Sequence, residues 1–251
     1  GSETTKEEQD QAMKFAALAV TDKSDELAWL SPDGALRCLK VASGDKQRLT
    51  TGVPYGRWLA GDPTGRLWAI GSTGGAVMIV DREHPDSPKW LGQGARVEPD
   101  GPAVPRFDSS RTQLISLKNG TTIDVSDLAT GLRRQRFHRP THKDGNATTA
   151  FALCGTQETV FCGTAEGVIE VYQTGVAESP RALTVSKGDI IALAVAPQGD
   201  WLVVGDSQGT TVWIDIATWQ VKHKVENGSI VRALAWSSDG SAVAIARSDH
   251  T

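Results

Sequence analysis

A glycine-closed turn returns along this chain at a spacing that few folds can accommodate. Glycines end the segments SPDG at Gly34, STGG at Gly75, KNG at Gly120, AEG at Gly167 and SQG at Gly209, at intervals of 41, 45, 47 and 42 residues. A sixth copy of the turn region, SDHT, runs to Thr251. Self-similarity at this period means one supersecondary unit repeated, each copy needing a neighbour to bury its apolar face.

Each turn lies between two strand-like runs. ELAWLS, RLWAIG, QLISLK, TVFCG, WLVVG and SAVAIA precede it, several of them nearly continuous in apolar residues. A strand covered on both faces reads this way, because neither face meets water. AVMIV, TTIDV, VIEVY and TTVWIDI follow the turn, and a more polar run completes each unit: KQRL, PKWLG, RRQRF, RALTV and VKHKV. There Lys222 and Lys224 alternate with Val221, His223 and Val225, which predicts an outer edge strand with one wet face. Upstream of the covered strands stand Ala17–Val20, Ala150–Leu153, Ala192–Val195 and Ala233–Trp236, with a small residue at every second position. Innermost strands of a tapering unit leave room only for small side chains. The turns that follow, DPTG, APQGD and SSDG, carry the Pro, Asp and Gly of tight hairpins.

The segment 190–217, IIALAVAPQGDWLVVGDSQGTTVWIDIA, resembles a WD40 repeat, and so does IVRALAWSSDGSAVAIA in the last unit. The resemblance covers residues 13–251 and implies an all-β fold, a β-propeller of WD40-like four-stranded blades. The repeats are divergent: only Ile214-Asp215 and Val80-Asp81 approach the Trp-Asp dipeptide, and no Gly-His pair occurs. The Asp-His-Ser/Thr-Trp network of typical blades is therefore not expected here. Five whole repeats and a partial sixth are present. The unfinished unit reads as part of a longer polypeptide with a seven-bladed ring; the other reading is a six-bladed ring to which the leader lends a strand. Residues 1–12 read as a tag scar, Gly1-Ser2, and a polar leader.

Composition narrows the function. With 251 residues and a formal net charge of −4, the chain has no global attraction to nucleic acid or anionic membrane, and no apolar run has transmembrane length. Met13-Lys14 before FAALAV resembles the start of a signal peptide but is short. Cys38, Cys154 and Cys162 fit neither metal-ligand spacing nor an even disulfide framework, so a cytoplasmic or other reducing intracellular compartment is expected. The sequons at Asn119, Asn146 and Asn227 are explained by turn composition.

No nucleophile elbow, P-loop, HExxH or paired CxxC occurs, and no catalytic, cofactor or metal residue is expected. Gly71–Gly75 looks like a phosphate loop, but lacks the following lysine and helix. His138 and His142 stand four apart in a strand-and-loop segment without a third ligand.

Residues 132–144, LRRQRFHRPTHKD, are the most unusual stretch. Arg133, Arg134, Arg136, Arg139, His142 and Lys143 form a candidate anion or partner site for a phosphopeptide, acidic protein, phosphoinositide or RNA backbone. The bland reading is a solvated outer strand. Phe137-His138-Arg139-Pro140 resembles the Phe-Arg-Arg-Gly signature of phosphoinositide-binding propellers, departing from it at His138 and Pro140. Three more arginines, Arg57, Arg106 and Arg232, interrupt the apolar inner strands and are candidate channel-side groups for a small-ligand or catalytic site. Of eight tryptophans, Trp68, Trp201, Trp213 and Trp236 are expected as core between blades, and Trp90 and Trp219 near outer strands or loops. The leading expectation is a non-enzymatic protein-interaction scaffold or sensing module within a larger protein or complex, its partners being other proteins.

Overall fold

A computed structural model describes residues 17–20, 26–31, 33–49, 56–62, 64–91, 103–107, 112–138, 148–154, 159–173, 176, 181–237 and 239–249. The glycine turns fall between the second and third strands of five antiparallel four-stranded sheets, or blades, as their spacing predicts. The first blade is β1 (Ala17–Val20), β2 (Glu26–Leu30), β3 (Leu36–Lys40) and β4 (Lys46–Arg48). The second is β5 (Gly56–Gly61), β6 (Leu67–Ser72), β7 (Val77–Asp81) and β8 (His84–Leu91). The third is β9 (Ala103–Phe107), β10 (Gln113–Lys118), β11 (Thr122–Asp127) and β12 (Arg133–His138). The fourth is β13 (Thr148–Cys154), β14 (Thr159–Thr164), β15 (Val168–Gln173) and β16 (Arg181–Thr184). The fifth is β17 (Ile190–Val195), β18 (Trp201–Asp206), β19 (Thr210–Asp215) and β20 (Gln220–Glu226). A two-stranded sheet follows, β21 (Val231–Trp236) and β22 (Val243–Arg247). Among the described residues there is no helix, and so none long and apolar enough to cross a membrane.

The residues divide into two compact units, 1–107 with 126–133, and 108–125 with 134–251. In the first, Ala28, Leu30, Leu36 and Cys38 of one blade pack with Leu59, Trp68, Ile70, Met78 and Val80 of the next. In the second, Cys154, Phe161 and Ile169 pack with Ile190, Leu202, Val204, Val212 and Ile214. The second strands of the five four-stranded blades are largely covered as their apolar runs require, β14 at all six positions, whereas β22, expected to be covered like them, alternates half-buried and exposed residues. Full burial of an aliphatic or phenyl side chain contributes roughly 1.5–3 kcal/mol, so these seams carry much of the stability.

Two glycines set how closely blades approach in the second unit. A Cβ on Gly163 of β14 would lie 2.4 Å from Ile190 Cγ2, and one on Gly205 of β18 would lie 2.3 Å from Val231 Cγ1. Ile190 and Val231 each open the first strand of the following unit. A glycine notch thus receives a β-branched residue at both seams.

In place of the tetrad absent from the sequence, a polar residue at the end of the second strand closes several hairpins. Ser72 Oγ accepts from Ala76 N at 3.0 Å, Thr164 Oγ1 from Val168 N at 3.2 Å, and Asp206 Oδ1 from Thr210 N at 2.6 Å.

Several elements differ from what the sequence predicts. Along β20 Val221, Lys222, His223 and Lys224 are all exposed and only Val225 is half-buried, so the strand is wet on both faces. A register shift at Trp213/Ile214 disrupts the alternation there. Trp68 alone of the four expected core tryptophans is fully buried; Trp201, Trp213 and Trp236 are half-buried. Trp213 leans on the ring of His223 at 5.2 Å, and Trp236 Nε1 donates to the Ala194 carbonyl at 3.1 Å. Trp90 packs half-buried against the first core. The outer strand expected at PKWLG begins earlier, at His84, and takes in Pro85 and Pro88, which an edge strand tolerates.

Candidate binding surfaces

The basic segment is exposed only in part. Arg133 and Arg134 are exposed at the start of β12. Arg136 is committed elsewhere: its Nε lies 2.6 Å from Asp124 Oδ1 and its Nη2 2.8 Å from Oδ2. Lys118 Nζ reaches the same carboxylate at 3.3 Å. Asp124 is buried in β11, and burial, the largest influence on it, pushes its carboxyl up. Arg136 and Lys118 outweigh that and hold it below its ordinary value. The sequence signal was there, a lone acid inside the apolar run TTIDV, but its partner is set by strand pairing. Phe137 packs on Tyr172 with ring centres 5.7 Å apart, and His138 Nδ1 lies 3.4 Å from Thr122 Oγ1. Arg139, His142, Lys143 and the Asn146 sequon lie outside the described residues.

Arg136→Ala is therefore expected to cost about 2 kcal/mol in urea unfolding, and the Arg133→Ala/Arg134→Ala pair less than about 1 kcal/mol. A depressed carboxyl contributes stability above its unfolded value, about pH 4, and loses it as pH falls through the folded value. The gap between wild type and Arg136→Ala should accordingly narrow on acidification below about pH 4.

The inner-strand arginines occupy two kinds of position. Arg57 and Arg232 are each the second residue of a first strand, at a one-residue bulge. In β13 and β17 the same register shift falls at Thr149 and Ile191. A bulge re-aims its extra side chain away from the ladder. Arg57 and Arg232 are exposed. Arg106 instead stands one residue before the end of β9. Five residues separate β9 from β10, as they separate β1 from β2, β5 from β6 and β17 from β18; in those strands the matching residue is Ala19, Ala60 or Ala194. Arg106 keeps accessible surface, although the protein around it partly desolvates its guanidinium. Burial holds its guanidinium below the ordinary arginine value, and Nη1 donates to the Pro105 carbonyl at 2.9 Å.

Asp81, Glu83 and His84 are a trio of metal-ligand type, their ligand atoms within 4.8 Å of one another. A cation already serves them: Arg66 Nη2 lies 2.8 Å from Asp81 and 3.0 Å from Glu83. The hydrogen bond from Arg66, more than any other influence, holds the Asp81 carboxyl below its ordinary value.

No protein-family model matches the chain, and no curated protein matches it in sequence. Solved structures do match in shape. One is a chain of the mitotic checkpoint complex, with TM-score 0.76 and 16% identity over 92% of this chain and 69% of that one. Another is the β-propeller domain of Myceliophteria thermophila Cps50 (Swd1), with TM-score 0.76 and 16% identity over 94% of this chain and 79% of that one. With its repeated four-stranded antiparallel blades, the chain has the fold of a WD40-like β-propeller.

Proposed function

We propose that the chain is a non-enzymatic protein-interaction module belonging to a larger protein or complex. The observation that carries this reading is the fold: rigid blades hold many turns in fixed positions, so little entropy is lost when they meet a partner. One structural neighbour comes from a multiprotein assembly, the mitotic checkpoint complex. Cys38, Cys154 and Cys162 are buried thiols outside any disulfide, which suits a reducing compartment. The test is affinity capture with the full-length protein, followed by reconstitution from purified components. A complex of fixed stoichiometry is expected; a protein that stays alone under both conditions refutes the reading.

Exposed Arg133 and Arg134 favour a second reading, an anion-binding strand. Replacing both with glutamate should then abolish retention on phosphoinositide vesicles or RNA. If the wild-type chain is not retained on either, this reading is lost.

A further inference from the structure

Among the described residues one turn is built three times, and its critical position is filled differently once. Asp127-Leu-Ala-Thr-Gly131 and Asp215-Ile-Ala-Thr-Trp219 connect the third and fourth strands of their blades. In both, the threonine N–H donates to the leading aspartate Oδ1 at 2.8 Å. Lys40–Gly44 makes the corresponding turn in the first blade, and Gly44 and Gly131 donate to the carbonyls of Lys40 and Asp127, both at 2.8 Å. The fifth residue is left-handed each time: φ is 74° at Gly44, 73° at Gly131 and 56° at Trp219. Space does not demand glycine there, since a Cβ on Gly131 would meet nothing nearer than 3.8 Å and one on Gly44 nothing within 4 Å. The dihedral does, and a bulky side chain at such a φ is an outlier that its surroundings must enforce.

The enforcing contact crosses a seam. The Trp219 indole stacks on Phe161 of β14, with ring centres 5.9 Å apart and planes 20° from parallel. Phe161 is fully buried, and Trp219 packs with it against the cluster shared by the fourth and fifth blades. Trp219 bears a second cost, because its Nε1 is buried with no hydrogen-bond partner among the described residues. A strained backbone and an orphaned donor coincide at the residue that bridges two blades.

We propose that Trp219 is a strained clasp: its indole, held in a left-handed turn against Phe161, keeps the seam between the fourth and fifth blades shut, and its removal lets that seam open by itself. Glycine at this position relieves the backbone and deletes the stack together, whereas phenylalanine keeps the left-handed backbone and a ring, so comparing the two separates the contributions.

Native-state hydrogen exchange is compared for wild type, Trp219→Gly, Trp219→Phe and Phe161→Leu. Amides of β14, β15, β18 and β19 should exchange about tenfold faster in Trp219→Gly, with β5–β8 unchanged. Phe161→Leu should show the same local pattern from the other side of the stack, which keeps the test decisive if Trp219→Gly fails to fold. Trp219→Phe retains an aromatic ring and discards the orphaned N–H, so its seam should stay protected. Two results overturn the proposal: wild-type exchange in the seam of the Gly or Leu variant, or acceleration spread evenly over every blade.

Discussion

Gly163→Ala is expected to destabilise the chain by about 2–3 kcal/mol, at the upper end of overpacking costs. The added methyl would stand 2.4 Å from Ile190 Cγ2 and 2.6 Å from Ile190 Cβ, distances at which an atom must move. Ile190 is fully buried at the head of β17, so the movement has to be taken up by the backbone between two blades. Gly205→Ala should behave alike against Val231. The diagnostic is non-additivity. Trimming Val231 to alanine in the Gly205→Ala background should recover roughly 1 kcal/mol relative to the sum of the single changes. Strict additivity in denaturant unfolding would show that the notch is not the cause. Gly44→Ala is the contrast: no atom lies within 4 Å, and only its φ of 74° opposes the change.

Arg82→Ala is the second large effect, about 3 kcal/mol of lost stability. Arg82 follows β7 and reaches Glu26 at the start of β2 through both terminal nitrogens, joining the first two blades. The two ends are unequally wet: the Glu26 side chain is 3% exposed and that of Arg82 30%. Removing the arginine leaves a carboxylate with neither partner nor water. Glu26→Ala leaves a cation that can still turn to solvent, and should cost less. An equal or reversed order in thermal or urea unfolding would refute this account. Cys38 supplies a local probe. Burial first, and the Glu26 charge second, push its thiol up to about 11, so it should be inert to alkylation at neutral pH in the folded chain.

The repeat was legible because its punctuation is covalent chemistry: Gly34, Gly75, Gly120, Gly167 and Gly209 all take positive φ at their turns. The buried second strands were legible because double cover demands continuous apolar sequence, as in TVFCG and WLVVG. What escaped depends on register or on neighbours. Arg136 and Asp124 lie twelve residues apart and meet only because β12 lies beside β11. Trp213 has the composition of a core residue, yet it faces an outer strand and stays half exposed. The bulges left no mark, since one extra residue in GRWLA or VRALA leaves the apolar alternation intact beyond it. Trp219 did leave a mark, the mismatch between DLATG and DIATW, but its meaning required the dihedral.

The first-strand bulge separates two codes that usually share the same letters. At one recurring point the ladder skips a residue, and there stand Arg57, Thr149, Ile191 and Arg232: two cations, a hydroxyl and a hydrocarbon. Because that residue pairs with nothing in its sheet, its identity is released from the demands that keep its neighbours small and apolar. Substitution there can rewrite what a blade presents while leaving intact how it folds. In a repeat protein so built, the bulge residue of each such blade is free to vary without disturbing the ladder beside it.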